Sequence, residues 1–249
     1  MNSVTMKLQA DPLILQALQE DITGEDVTTN AILPEDCQGE AELLCKQDGI
    51  IAGLDVFARP FTLLDDKVWF EFFVKDGDKV HKGQKLAKVV GSMRAILSAE
   101  RVGLNYLQRI SGIATYTHQV AALLEGTGMT LVDTRKTTPG YRNLEKYAVA
   151  VGGATNHRIG LYDRVMIKDN HRELAAMEGA GGIARSVGRA RAKYPELEIE
   201  VEADSLDEVR EAVEAGAEYI MLDNMSDEMM AEAVRIVAGR SKLEASGLS

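Results

Sequence analysis

The spacing of hydrophobic and polar positions changes along this 249-residue chain. Residues 9–20 carry apolar positions at helical spacing, and a polar turn at 21–29 follows them. Residues 39–91 contain short apolar runs broken by Gly and Asp, in GEAELLCKQ, GIIAGLDVF, KVWFEFFVK and QKLAKVVG. Such runs are typical of β-strands joined by tight turns, of which Asp76-Gly77-Asp78 is one. The first part of the chain is therefore predicted to contain a small β-scaffold.

From Ser98 to about Leu124, apolar residues recur every three or four positions, which predicts a long helix. A regular alternation follows. Strand-like segments at 130–133, 164–168, 197–202 and 219–223 each precede a helical pattern, and a last strand-like segment lies at 242–246. The helical patterns cover about 144–151, 181–193, 205–216 and 227–239. This alternation predicts βαβ units and a parallel sheet.

Polar residues follow each of these strands, and their position favours a barrel over an open doubly wound sheet. In a (β/α) barrel the carboxyl ends of all strands meet on one face, which carries the chemistry. In an open sheet the same ends form a row. Five strand ends in succession are charged or polar: residues 133–136, Lys168-Asp169, Glu202 with Asp204, Asp223-Asn224, and Glu244 with Ser246.

The formal net charge of −11 argues against general binding to nucleic acids or anionic membranes, since both favour basic surfaces. No apolar run reaches the 18 residues of a membrane span, and no signal peptide is recognisable. Cys37 and Cys45 make neither a disulfide framework nor a zinc pattern, so they are interpreted as reduced thiols of a cytoplasmic protein.

One segment, 133–172, is basic within this acidic chain. It holds eight Lys or Arg against four Asp or Glu, a local net charge of +4, and two of the four histidines. Arg offers planar bidentate contacts to carboxylates and phosphates, whereas Lys offers a compact point charge. The mixture suits a small ligand with both groups. The alternative is a set of surface charges that pair with neighbouring acids.

Two further patterns leave alternatives open. Gly152-Gly153 allows the backbone to approach either a ligand or a packed neighbour. The segment VKDGDKVHKGQKLAKVVG resembles the hairpin of biotinyl and lipoyl carriers, but Lys75 and Lys82 do not stand in the usual lysine-centred motif. A small β-scaffold is the preferred interpretation of that segment.

The segment DTRKTTPGYRNLEKYAVAVGGATNHRIGLYDRVMIKDNH resembles the signature of the quinolinate phosphoribosyltransferase family. Further similarity lies in EDITGEDVTT, SAERVGLNYLQRISGIAT, EVEADSLDE and IMLDN, so the resemblance covers the chain from about residue 10. A molybdenum-associated relative shares the fold. The elements TRKTTPG, NHR and IKDNH together resemble the NAD-pathway enzyme more closely.

The resemblance implies an α/β fold with an N-terminal α/β sandwich over residues 1–110 and an incomplete TIM-like (β/α) barrel over residues 111–249. It also implies a homodimer with shared active sites. The family's activity is phosphoribosyl transfer from phosphoribosyl pyrophosphate to quinolinate with decarboxylation, which gives nicotinate mononucleotide, pyrophosphate and CO₂ in NAD biosynthesis.

The resemblance also assigns roles to residues of this chain. Quinolinate carboxylates are expected at Arg135, His157 and Arg158, with Thr134 also in the substrate-binding set, and Arg101 is expected to reach the partner's site. Lys136 and Lys168 are expected to neutralise phosphates, and Glu202 and Asp223 to face the ribose and its Mg²⁺. Ser246 and Gly247 are expected to begin the loop for the 5′-phosphate.

In the family, a helix, a strand and a second phosphate-binding loop follow the Ser-Gly loop, whereas this sequence ends at Ser249. The barrel is therefore expected to lack its last unit. An alternative to the active enzyme is a truncated, weakly active or inactive ligand-binding derivative.

Overall fold

The computed structural model describes residue 4 and residues 6–247. These form two compact units, the first ending at Ile159 and the second beginning at Gly160. None of the helices in the described ranges is long and apolar enough to cross a membrane.

The first unit combines helices with a three-stranded antiparallel sheet in the order β1-β5-β3 and a two-stranded pair, β2-β4. A π-helical turn, Met6–Ala10, precedes α1. The elements are α1 (Asp11–Asp21), α2 (Val27–Ile32), β1 (Gln38–Leu44), β2 (Gly49–Ile50), α3 (Leu54–Leu64), β3 (Trp69–Phe72), β4 (Lys79–Val80), β5 (Lys85–Ser92), α4 (Met93–Ala122) and α5 (Arg142–Val151). The predicted α/β sandwich is confirmed in this unit.

The strand predicted over GIIAGLDVF is wrong beyond Ile50, because α3 begins at Leu54. The buried side chains of α3 are Leu54, Val56, Phe57, Pro60 and Phe61, at three- and four-residue intervals that suit a helix. A short apolar run fits a strand or a buried helix equally well. Here the segment continues to Leu64, which gives the 11 residues typical of a helix and not of a short strand.

Helix α4 begins at Met93, five residues before the predicted start, because the Ser92 hydroxyl caps it by accepting a hydrogen bond from the Ala95 N–H. The predicted domain boundary between residues 110 and 111 lies within this helix, and it stays a prediction. The strand predicted at 130–133 is reduced to one parallel bridge between Val132 and Thr155.

The second unit confirms the predicted βα alternation. Its elements are β6 (Val165–Ile167), α6 (Asp169–Ala176), α7 (Gly182–Lys193), β7 (Ile199–Ala203), α8 (Leu206–Glu214), β8 (Tyr219–Asp223), α9 (Asp227–Val237) and β9 (Lys242–Ser246). The strands are parallel and follow chain order, β6-β7-β8-β9. A doubly wound sheet reverses its strand order partway, and no reversal occurs among these four strands, so their winding agrees with the predicted incomplete barrel.

The sheet of the second unit has one apolar and one polar face. Ile167, Val201, Ile220 and Leu222 pack with residues of α7, α8 and α9 into a single core. The alternate positions point the other way because successive strand residues face opposite sides. That opposite face carries Lys168, Glu200, Glu202, Asp223, Glu244 and Ser246, aligned by the strand register.

Candidate active site

In the first unit, a short loop presents Thr134, Arg135 and Lys136. The Thr134 hydroxyl accepts a hydrogen bond from the Lys136 N–H (3.0 Å), and the Arg135 carbonyl accepts one from the Thr137 N–H (2.9 Å). Arg142, at the start of α5, donates to the Thr137 hydroxyl (3.1 Å). The loop backbone is therefore held by its own polar groups, and the basic side chains are left to other contacts.

Two basic side chains of this loop, Arg135 and Lys136, each have a polar atom without a protein partner in the described part of the chain. The Nε atom of Arg135 is buried and has no hydrogen-bond acceptor, and the exposed Lys136 has no ion pair among the described residues. A buried guanidinium donor without an acceptor is costly. The arrangement is therefore suited to an anionic ligand that supplies the missing acceptor.

The second basic pair of this unit, His157 and Arg158, follows the turn after α5. The Asp133 carboxylate accepts a hydrogen bond from the backbone N–H of His157 (2.8 Å), and the Lys146 ammonium donates to the backbone carbonyl of His157 (3.1 Å). Lys146 also forms an ion pair with Asp133 (2.5 Å). Lys146 belongs to the basic segment that the sequence offered as a ligand site, but it is buried and satisfied by protein groups.

Gly152 brings the turn after α5 against α4. A Cβ atom at this position would lie 2.5 Å from the Ala114 carbonyl oxygen and 2.7 Å from Thr117 Cβ. Of the two interpretations left open by the sequence, a packed neighbour is the one observed here. The close packing fixes where the chain starts its return toward His157.

In the second unit, the carboxyl ends of the strands carry the predicted residues. The Lys168 ammonium donates to the Glu202 carboxylate (3.2 Å), joining the ends of β6 and β7. His171 holds the backbone of Lys168 through two hydrogen bonds. The Nδ1 atom of the His171 side chain accepts from the backbone N–H of Lys168 (3.0 Å), and the backbone N–H of His171 donates to the Lys168 carbonyl (2.9 Å).

The ends of β8 and β9 are joined through Asn224, which adopts a left-handed conformation (φ 52°). Its N–H donates to the Ser246 carbonyl (3.0 Å), and its side-chain amide donates to the Asp223 carboxylate (2.8 Å). Gly247 lies against this amide: a Cβ atom there would stand 2.6 Å from Asn224 Cγ and closer still to its Oδ1. Asp223, Ser246 and Gly247 are thus brought together around Asn224, a polar strand-end residue to which the sequence assigned no role in the site.

Other charges of the basic segment are occupied by acids, so the pairing alternative holds for part of it. Arg172 binds Asp204 (3.0 Å) and Glu208 (3.1 Å). The hydrogen bond between these two carboxyl groups lowers the pKa of Asp204, whereas burial raises the pKa of Glu208. Arg172 therefore stabilises the end of β7 and is not available to a ligand.

Arg164 is occupied in the same way, at the amino ends of the strands. It pairs with Glu198 (3.3 Å), Glu200 (3.3 Å) and Glu244 (3.5 Å) and stacks on Tyr219. Glu200 is fully buried and was not recognised from the sequence. Glu200 stands between the apolar residues Ile199 and Val201 in β7, and this apolar–polar alternation was the sequence signal that places it on the same sheet face as Glu202.

Arg101 lies on α4 and is exposed. Arg109, eight residues further along, donates to the Thr138 hydroxyl (2.6 Å) and the Glu145 carboxylate (2.5 Å). Eight helical residues span about 12 Å, which separates Arg101 from this loop contact. Partial burial raises the pKa of Glu145, but the hydrogen bonds from Arg109 and Thr138 outweigh it, so the pKa is lowered.

Glu202 and Asp223 have the chemistry that Mg²⁺ requires. Glu202 lies opposite Met221, and Asp223, two residues further along β8, lies opposite Ser246, so both carboxylates share one sheet face. Both side chains are partly exposed. Carboxylate oxygens at a solvent-accessible strand end are ligands suited to this hard cation.

Comparisons with known proteins cover nearly the whole chain. The family model described as the N-terminal domain of quinolinate phosphoribosyl transferase matches residues 26–111, and that of the C-terminal domain matches residues 113–248. The chain is 43% identical to a probable nicotinate-nucleotide pyrophosphorylase (carboxylating) of Bacillus subtilis (strain 168), over 96% of this chain and 81% of the relative.

A plant relative and a solved structure agree with this result. The chain is 42% identical to quinolinate phosphoribosyltransferase (decarboxylating) 2, mitochondrial, of Nicotiana glauca, over 93% of this chain and 70% of that protein. The crystal structure of NadC from Streptococcus pyogenes superposes with a TM-score of 0.91 at 44% identity, covering 97% of this chain and 84% of the other.

Proposed function

The chain belongs to the quinolinate phosphoribosyltransferase family, and on this premise we propose that it makes nicotinate mononucleotide. The reaction joins quinolinate to the phosphoribosyl group of phosphoribosyl pyrophosphate and releases pyrophosphate and CO₂, as a step of NAD biosynthesis. The structural observation that carries the proposal is the loop at 134–136. There a buried Arg135 donor lacks an acceptor beside a Lys136 that forms no ion pair with any described residue.

The two carboxylates of quinolinate are proposed to bind Arg135, His157 and Arg158. Arg presents a fork of donors that matches a carboxylate, and the loop contacts described above hold the Arg135 backbone still. Thr134 completes this binding set through its position in the same loop. Placing two adjacent anions on fixed cations offsets their mutual repulsion, and losing one such partner costs about 2–5 kcal/mol.

Phosphate groups are proposed to bind Lys136 and Lys168, and the 5′-phosphate to bind at Ser246 and Gly247. Departure of pyrophosphate leaves positive charge on the ribose C1, which the carboxylates of Glu202 and Asp223 stabilise. Glu202 and Asp223 would hold Mg²⁺, which would supply charge neutralisation for the leaving group. The pyridine nitrogen of quinolinate then attacks C1. The ring cation stabilises the carbanion left when the adjacent carboxylate departs as CO₂, and this carbon then takes up a proton from solvent to give the product.

We further propose a homodimer in which Arg101 completes the partner's site, and an enzyme that works in the cytoplasm. The exposed position of Arg101, about two helical turns from the contacts of Arg109, supports the first point. The free thiols of Cys37 and Cys45 support the second.

The direct test is chromatographic detection of nicotinate mononucleotide after incubation of the purified chain with quinolinate, phosphoribosyl pyrophosphate and Mg²⁺. We expect nucleotide and CO₂ in equal amounts. Nicotinate, which lacks the 2-carboxylate, is the control acceptor and is expected to release no CO₂. If quinolinate yields no nucleotide above the enzyme-free control, the proposed activity is refuted, and binding of quinolinate in a calorimetric titration would then support the alternative of an inactive ligand-binding derivative.

Residue roles are tested by calorimetric titration of each substrate. Arg135→Ala and Arg158→Ala are expected to weaken quinolinate binding far more than phosphoribosyl pyrophosphate binding. Arg210→Ala, which removes an exposed arginine paired with Asp207, is the matched control and should alter neither. Equal losses for both substrates would contradict the assignment of these arginines to quinolinate.

A further inference from the structure

A buried ion pair lies behind the residues proposed to bind quinolinate. Lys146 Nζ and Asp133 Oδ1 are 2.5 Å apart, and their side chains are only 3% and 9% exposed. Burying two charges carries a large desolvation cost, and well-packed apolar residues of similar volume often stabilise a fold equally well. This makes the pair a candidate for a role besides stability.

The polar contacts of the pair converge on one residue. Asp133 Oδ1 accepts from the His157 N–H (2.8 Å), and Lys146 Nζ donates to the His157 carbonyl (3.1 Å). Both backbone groups of His157 are therefore bound by the same ion pair. A lysine on α5 and an aspartate before the 134–136 loop together hold the backbone from which the His157 and Arg158 side chains leave.

The neighbouring residues extend this arrangement. The Asn156 amide, oriented to satisfy its surroundings, donates from Nδ2 to Asp133 Oδ2 and to the Lys146 carbonyl, both at 2.9 Å. The Asp133 N–H donates to the Thr155 carbonyl (3.3 Å). Residues 155–157 are thus tied to the segment that leads directly into Arg135, and both quinolinate-binding segments share one anchor.

We propose that Asp133 and Lys146 are positioning residues for the dicarboxylate substrate, which fix His157 and Arg158 relative to Arg135. This inference rests on the function proposed above. Both side chains are buried, so their effect on the substrate passes through the backbone of His157. A misplacement of about 1 Å in a binding group can reduce activity by on the order of 100-fold, so a rigid anchor has a direct effect on recognition.

The test removes the ion pair without leaving an isolated buried charge. In the double variant Asp133→Asn, Lys146→Met, the asparagine oxygen can still accept from the backbone N–H of His157. The bonds to the His157 carbonyl and from Asn156 to the second oxygen of Asp133 are lost. We expect its melting temperature to stay near that of the wild type. We expect the Kd for quinolinate, measured by calorimetry, to rise about 10- to 100-fold, and the Kd for phosphoribosyl pyrophosphate to change less than about twofold.

The matched control is the partly buried pair of Arg59 and Asp11 in the same unit, whose nitrogen and oxygen atoms are 2.8 Å apart. The variant Asp11→Asn, Arg59→Met removes a pair of the same charges, which bridges α3 and the start of α1 instead of holding His157. It should leave both Kd values unchanged. A merely structural role for Lys146 predicts the same behaviour in both double variants.

The outcomes separate this inference from the proposed activity. Wild-type binding of quinolinate without turnover defeats the proposed activity but leaves the titration valid. Wild-type protein that binds no quinolinate overturns both. Unchanged quinolinate binding in the double variant, or an equal loss of both ligands, overturns the positioning role. If the double variant does not fold, the variant Asp133→Asn, Lys146→Gln, which puts neutral amides in place of both charges, is judged by the same comparison.

Discussion

Replacing Gly247 by alanine is expected to reduce turnover through a displaced neighbour while the chain stays folded. The new Cβ would lie 2.6 Å from Asn224 Cγ and closer still to Oδ1, whereas ordinary contacts begin at 3.4 Å. The Asn224 amide therefore has to move by about 1 Å. That movement breaks its hydrogen bond to the Asp223 carboxylate (2.8 Å), which the proposed mechanism places at the reacting ribose.

The magnitude follows from two separable costs. Gly247 has a φ of 76°, and an alanine in this left-handed region costs about 1–2 kcal/mol. The lost hydrogen bond to a charged group is worth about 1.5–3 kcal/mol. If that second cost is expressed in the transition state, kcat/KM falls about 10- to 150-fold.

Gly239 supplies a matched control, because it also has a φ of 76°, but an alanine methyl group there would meet no heavy atom of the described residues within 4 Å. Gly239→Ala carries the same backbone strain without the displaced amide. The assay is the steady-state kcat/KM for each variant, alongside urea unfolding. We expect similar stabilities and a loss of turnover only for Gly247→Ala. Equal kcat/KM values in the two variants would refute the role assigned to Asn224.

Three further predictions concern other contacts. Asp76→Ala should lower the free energy of unfolding in urea by about 2–4 kcal/mol, because Asp76 accepts from two N–H groups at the start of α3 and from the Tyr147 hydroxyl, whereas Asp76→Asn keeps an acceptor and should lose less. Arg109→Ala should lower the free energy of unfolding at neutral pH, and this loss should shrink as the pH falls through the lowered pKa of Glu145. A carboxyl group with a depressed pKa stabilises the folded chain while it is ionised, and this stability is lost on protonation. A loss of stability that stays constant from about pH 7 to pH 3 would count against this pair. Mixed inactive Arg101→Ala and Lys136→Ala chains should regain part of the activity in hybrid dimers, and no recovery despite subunit exchange would exclude a shared site.

Much of the second unit was predictable from local patterns. The strand at Tyr219–Asp223 and the helix at Asp227–Val237 agree with the predicted segments, because each combines a short apolar run with a following amphipathic helix. The first unit was harder. The run around Leu54 was too short to separate a strand from a buried helix, and the start of α4 depended on the Ser92 cap.

The sequence by itself determined the family, the alternation of strands and helices, and the segments in which the site residues lie, since these depend on neighbours along the chain. Only the tertiary structure decided which cations of the basic segment remain for a ligand. Lys146 and Arg172 are committed to carboxylates, while Lys136 has no acid partner within the described ranges. An ion pair needs two side chains facing each other at about 3 Å, and helix packing and strand register set that distance between residues far apart in the chain.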